Sequence, residues 1–228
     1  MTSHKEFQRF AKTYDKYALI QARVAKIVAD KISGNFSHIV EFGCGSGGFF
    51  NAYKKPFTSY LAIDAASEMV AIHPIVNGVE TMVGSFDESK LFELLKKREF
   101  DLIVSTSSLQ WSQNLDWTLS QIASFKKPVA LSLFTSGTFK TLHSIAGVSS
   151  PIRSKEETIM LLQKHFDIKI DTIWFRLYFS DKLSMLRYIK QSGISGGQRR
   201  LNITQTRKIL RDYPLSFLEF EVVVANNA

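Results

Sequence analysis

The chain has 228 residues, 45% hydrophobic and 22% charged, which supplies a core and excludes a largely disordered protein. Its single cysteine, Cys44, excludes an internal disulfide. No apolar run approaches the ~18–20 residues of a spanning helix, and the charged first residues lack a secretory apolar stretch, so a cytoplasmic protein is expected.

The chain reads as alternating helix and strand, the pattern of an α/β fold with a mainly parallel sheet. Two amphipathic helices open it, over Lys5–Tyr14 and Leu19–Ile32, the second with Ile20, Val24, Ile27, Val28 and Ile32 at helical spacing and closed by Gly34. Short apolar strands are predicted at His38–Phe42, Tyr60–Ile63, Thr81–Val83, Leu102–Val104 and Val129–Phe134, with helices at Ser89–Lys97 and Leu115–Ser124. Residues 137–152 read as a loop-rich insertion and Lys155–His165 as a helix. Ile168–Phe179 and Phe217–Val224 alternate as two long strands, with helices Lys182–Gln191 and Thr204–Arg211 between them around a Ser-Gly-Gly-Gln turn. One domain is expected, with a helical cover (1–34), a cofactor-binding half (35–135) and a substrate-side half (136–228) whose basic lid spans 182–211.

The net charge of +8 is unevenly spread. Residues 1–125 carry 13 basic and 13 acidic side chains, residues 126–228 carry 16 and 8, and Lys182–Arg211 has eight basic residues and no acid. Such a field steers an acidic partner: nucleic acid, an anionic membrane or an acidic protein.

The segment Ile39-Val40-Glu41-Phe42-Gly43-Cys44-Gly45-Ser46-Gly47-Gly48 follows a strand and opens a helix. Glycines there allow a tight turn and close approach of a ligand to the backbone. Gly43, Gly45 and Gly48 satisfy the dinucleotide spacing G-x-G-x-x-G. Glu41, however, sets a carboxylate at the strand end, which suits a cationic ligand better than a pyrophosphate. The resulting E-x-G-x-G-x-G resembles motif I of class I S-adenosylmethionine-dependent methyltransferases, with a Rossmann-like fold and a mainly parallel seven-stranded sheet covered by helices on both faces. Asp64, ending the second strand 17 residues after Gly47, can take both ribose hydroxyls. The resemblance implies a cofactor site of Tyr14, Gln21, Glu41, Gly43, Cys44, Gly45, Gly47, Asp64, Ala65, Met69, Ser85, Phe86 and Ser105. In Gly84-Ser85-Phe86-Asp87, Ser85 stands where such enzymes often carry an acid toward adenine.

Segments outside the loop resemble a narrower family, the malonyl-acyl-carrier-protein O-methyltransferases of biotin synthesis. Phe10-Ala11-Lys12-Thr13-Tyr14-Asp15-Lys16-Tyr17-Ala18-Leu19-Ile20-Gln21 is similar to their F-x-x-x-Y-D-x-x-A-x-x-Q segment. Phe100-Asp101-Leu102-Ile103-Val104-Ser105 through Leu109-Gln110-Trp111 is similar to F-D-L-x-x-S-N-x-x-x-Q-W, with Thr106 for the Asn. Leu131–Thr138 and Leu218–Val223 resemble their fifth and last strands. The resemblance implies methyl transfer to the free carboxylate of malonyl carried on an acidic acyl carrier protein, giving the ester that starts pimelate and biotin synthesis. Such a carboxylate is already ionised at neutral pH, so no catalytic general base is expected. The five histidines lack metal-ligand spacing, and no metal is expected. Tyr14 and Trp111 would border the methyl-transfer site, and Arg153, Arg199 and Arg200 are candidates for gripping the malonyl carboxylate. A free aconitate-like acid is the alternative substrate, and nucleic acid is the remaining one.

Overall fold

In this computed structural model the described residues are 17–191 and 201–228; the expected helix at Lys5–Tyr14 and the Ser-Gly-Gly-Gln turn lie outside them. Runs of Val, Ile and Leu too short for helices form strands buried on both faces, as a parallel sheet requires. In chain order the elements are α1 (Leu19–Lys31), β1 (His38–Phe42), α2 (Gly48–Ala52), β2 (Ser59–Asp64), α3 (Ser67–Ile72), β3 (Val79–Val83), α4 (Ser89–Leu95) and β4 (Leu102–Thr106). A 3₁₀ turn at Leu109–Trp111 precedes α5 (Leu115–Ser124), β5 (Val129–Phe134), α6 (Lys140–Ala146), α7 (Lys155–His165), β6 (Lys169–Tyr178), α8 (Lys182–Gln191), α9 (Ile203–Asp212) and β7 (Phe217–Asn226).

The seven strands run in the order β3-β2-β1-β4-β5-β7-β6. The first five pair in parallel, while β7 is antiparallel to both β5 and β6. Strand order reverses between β1 and β4, and that switch point is where α/β sheets open a crevice at their carboxyl edge.

Alternating side chains divide the core into two layers. Ile39, Tyr60, Ala62, Leu102, Val104, Phe220 and Val222 face one side, where α1, α6, α8 and α9 bring Val24, Val28, Leu142, Met185, Tyr188 and Ile209. Val40, Phe42, Leu61, Ile103, Leu131 and Val223 face the other, under Phe92, Leu95, Leu119, Ile122 and Leu162 from α4, α5 and α7. Each fully buried Leu, Ile or Phe contributes about 1.5–3 kcal/mol, so these layers hold the sheet.

Sequence and structure differ most at residues 137–152. Expected as loop, this stretch contains α6, which starts after a left-handed Phe139 (φ 58°) and ends at Gly147 (φ 66°). It is fixed by β7 rather than by its own propensity, since Phe139 N–H donates to Glu219 O (2.9 Å) and Thr141 N–H to Glu219 Oε2 (3.0 Å). Helices α8 and α9 match their expected bounds closely, and α9 opens with a reciprocal capping box between Asn202 and Gln205. No helix among the described residues is long and apolar enough to cross a membrane.

Candidate active site

The glycine loop links the ends of β1 and β2. Gly43 N–H and Cys44 N–H both donate to Ile63 O, at 2.7 and 2.9 Å. Gly43 adopts φ 69°, and a Cβ there would lie 2.0 Å from Ser108 Oγ, so only glycine fits both the turn and this approach. Gly47 (φ 89°) caps α2 with Pro74 Cδ 2.6 Å from the position of a Cβ. Gly45, also at positive φ, has nothing within 4 Å of its Cβ position.

Asp64 locks this arrangement. Its Oδ2 accepts from Gly45 N–H and its Oδ1 from Ala66 N–H, each at 2.9 Å. Behind the loop, Glu41 is completely buried and accepts a 2.5 Å hydrogen bond on Oε2 from Tyr60 Oη. Its Oε1 has no hydrogen-bond partner. Burial pushes the Glu41 carboxyl up to about 8; the Tyr60 bond opposes this and the Asp64 charge adds to it. Burial also pushes the Cys44 thiol up, helped by the charges of Glu41 and Asp64, so it is no nucleophile.

A cavity of ≈ 260 Å³ opens over the loop. Of the expected cofactor residues, Gln21, Gly43, Cys44, Gly45, Asp64, Ala65, Met69 and Phe86 line it, as does Trp111 from the substrate set. Glu41, Gly47, Ser85 and Ser105 stand off its wall. Ser105 is buried and donates to Phe42 O (2.9 Å), bracing β4 against β1. Ser85 Oγ accepts from Asp87 N–H (3.2 Å) and shapes a turn beside the cavity. Tyr14, Arg199 and Arg200 lie outside the described residues.

Arg153 also stands off the wall. Its two terminal nitrogens donate to Ser112 O at 3.2 and 3.3 Å, one residue after Trp111, and its Nε lies 3.3 Å from Glu157 Oε1. Sequence reasoning missed Asn51, Thr106, Ser107 and Ser108, which also line the cavity. It also missed Asp87, whose Oδ1 accepts from Ser112 Oγ (2.7 Å) and Gln113 N–H (3.1 Å) and thereby anchors the Trp111 turn. Thr106 and Asp87 fall in the quoted segments without an assigned role, and tertiary packing brings Asn51, Ser107 and Ser108 to the cavity.

The lining fits an aminoacyl nucleoside. Asp64 offers a carboxylate at a strand end, Met69 and Phe86 an apolar wall, and Gln21 a buried Oε1 without a partner. No group of three or more His, Cys, Asp or Glu among the described residues could hold a metal ion.

Fold and crevice together define a class I S-adenosylmethionine-dependent methyltransferase. The sequence profile of a methyltransferase domain matches residues 7–167. A putative methyltransferase from an Anabaena variabilis antibiotic pathway superposes with a TM-score of 0.63 at 14% identity, covering 90% of this chain and 97% of that one. Among relatives, the malonyl-[acyl-carrier protein] O-methyltransferase of Chlorobium luteolum is 30% identical over 85% of this chain and 80% of its own length. That of Priestia megaterium is 32% identical over 61% of this chain, a match spanning about half (54%) of that relative's length. The chain belongs to the malonyl-acyl-carrier-protein O-methyltransferase family of methyltransferases.

Proposed function

We propose that the protein methylates the free carboxylate of malonyl on an acyl carrier protein, acting as one domain in the cytoplasm. When bound, S-adenosylmethionine supplies an electrophilic methyl group on a sulfonium. The residues contribute binding and orientation. Glu41, Gly43, Cys44, Gly45 and Gly47 shape the cradle, and Asp64 takes the ribose hydroxyls. Ala65, Met69 and Phe86 flank the base, with Ser85 shaping the turn beside it. Ser105 braces the strand end, and Gln21 Oε1 accepts from the amino end. Tyr14 and Trp111 close the transfer site and exclude water.

The observation that carries this reading is the chemistry of the described lining. Its titratable groups are Asp64, with both oxygens engaged by backbone N–H groups, and Cys44, with its thiol pushed up. Neither serves as a base, so the site suits a substrate that arrives as a nucleophilic anion. Orientation at near-attack distance is the main lever left to the protein. Arg153, beside the Trp111 turn, is the described candidate for the malonyl carboxylate, with Arg199 and Arg200 the remaining ones. Exposed Arg187, Lys190, Arg207 and Lys208 on the lid helices suit docking of an acidic carrier protein.

The test is methyl transfer from labelled S-adenosylmethionine, offering malonyl-acyl carrier protein beside malonyl-CoA, trans-aconitate and bulk RNA. Preferential label on the carrier-protein thioester is expected. Label on a free acid or on RNA, with none on either malonyl thioester, overturns the substrate assignment.

A further inference from the structure

We propose that Glu41 is a proton-linked sensor of the sulfonium charge: neutral in the empty protein, it gives up its proton when S-adenosylmethionine binds and keeps it when S-adenosylhomocysteine binds. This rests on the methyltransferase reading and concerns how that site tells its methyl donor from its spent product, which differ by one methyl group and one positive charge.

The geometry carries the argument. Glu41 lies in the middle of the sheet, paired with Ala62 on β2 and Val104 on β4, and is fully buried. Its face of the sheet is shared with Ile39, Tyr60 and Ala62 and is covered by apolar residues of α1 and α2. A carboxylate so placed would keep one hydrogen bond, from Tyr60, and leave Oε1 bare, an arrangement that strongly disfavours the charged form.

Among the described residues, the groups around it add no positive charge. On β2, Tyr60 donates to it, and Asp64 contributes a negative charge. On the loop, the Cys44 thiol interacts with both carboxyls. Tyr53 from α2 acts on Tyr60, and His73 stacks beyond the Tyr60 ring at 6.3 Å with its own pKa lowered by burial. The described α1 side chains packed on this face are apolar: Val24, Ala25 and Val28. Of the groups electrostatically coupled to Glu41, Cys44 and Asp64 line the cavity. A cation held there therefore supplies the opposite charge the buried carboxyl lacks.

Proton accounting follows directly. An empty-state pKa of about 8 leaves Glu41 about 0.9 protonated at pH 7. Binding the cation ionises Glu41 and releases that proton to buffer, whereas the uncharged thioether of the product gives no such reward. Affinity for the donor then rises by up to tenfold per pH unit below about pH 8, while affinity for the product stays flatter. Discrimination in favour of the donor grows with pH across that window.

Isothermal titration calorimetry of the whole protein at pH 7.0, in phosphate and in imidazole buffers, reads the released protons from the difference in heats. The expected result is about 0.9 proton released with S-adenosylmethionine and close to none with S-adenosylhomocysteine. The α-amino group is common to both ligands and does not create that difference. Glu41→Gln should abolish the release. Tyr60→Phe, which removes the bond favouring the carboxylate, should move the release window to higher pH. Buffer-independent heats with the donor overturn the proposal, as does equal release with both ligands or release that persists in Glu41→Gln. Absence of any donor binding overturns the methyltransferase reading itself.

Discussion

Replacing Gly43 by Ala tests the geometry of the cavity floor at its tightest point. A Cβ there would lie 2.0 Å from Ser108 Oγ and 2.3 Å from Ser108 Cβ, so Ser108 must move. Moving it breaks the bond from Ser108 Oγ to Phe42 O (3.1 Å), worth about 1 kcal/mol. A φ of 69° costs an L-residue about 1–2 kcal/mol more. The lower entropy of the unfolded alanine chain returns about 0.4–1 kcal/mol. The net expectation is about 1–2.6 kcal/mol of lost stability, a fall in Tm of about 2–10 °C for a chain of this size. Adding Ser108→Gly removes both clashing atoms, so the double variant should recover most of the steric part and show coupling of at least about 1 kcal/mol in a double-mutant cycle. Urea unfolding gives the energies, and calorimetric titration gives donor affinity, which should fall in Gly43→Ala and return partly in the double variant. A Gly43→Ala protein within about 0.5 kcal/mol of wild type, or additive effects of the two changes, would refute the reasoning.

Asp64→Asn keeps one carbonyl oxygen for the loop but loses the charge; donor affinity should fall at least tenfold, about 1.4 kcal/mol, with little change in Tm, as titration and thermal melts will check. Arg153→Ala should lower kcat/KM for the malonyl thioester about tenfold or more while leaving donor Kd within twofold, measured by steady-state kinetics beside titration. Reversing charge at Arg207 and Lys208 should raise KM for the carrier-protein substrate and flatten its salt dependence, with the malonyl-CoA reaction unchanged. Glu41, whose folded pKa of about 8 exceeds its ordinary 4.5, stabilises the empty protein most fully below pH 4.5 and loses that contribution as pH rises through about 8. Glu41→Gln should therefore flatten the decline of the urea midpoint between pH 5 and pH 8, which equilibrium unfolding at the two pH values will read.

The parallel strands were legible because segments such as Leu102–Val104 and Val129–Phe134 are apolar on both faces and too short for helices, which only a covered sheet accommodates. The glycine loop was legible because positive φ at Gly43, Gly45 and Gly47 leaves little choice of residue. Asp64 stood out as an acid ending a strand. What stayed hidden depends on distant partners. Residues 140–146 mix polar and apolar side chains weakly, and their helix is imposed by Glu219 on a strand some 75 residues later. Ser108 and Asp87 belong to the site through contacts with Phe42 and Ser112, for which no local pattern exists. Glu41 was read at the pocket floor because its motif places it there; it is fully buried beneath the loop and does not line the cavity.

The insertion of β7 between β5 and β6 sets an order in which the protein can be built. A chain emerging from the ribosome can complete every parallel pairing among β1 to β5 before β7 exists, leaving only the outer edge of β5 open, so this half of the sheet can consolidate first. Strand β6 then emerges with no mate, because among the described residues it pairs with β7, which follows it. Until β7 arrives, the Trp174, Phe175 and Tyr178 of that strand have no ladder to join, and α8 and α9 hang from an unfinished edge. The sheet edge that carries α8 and α9 is thus sealed only when β7 arrives, and a nascent chain stalled before Phe217 would present an aromatic strand seeking any edge that will take it.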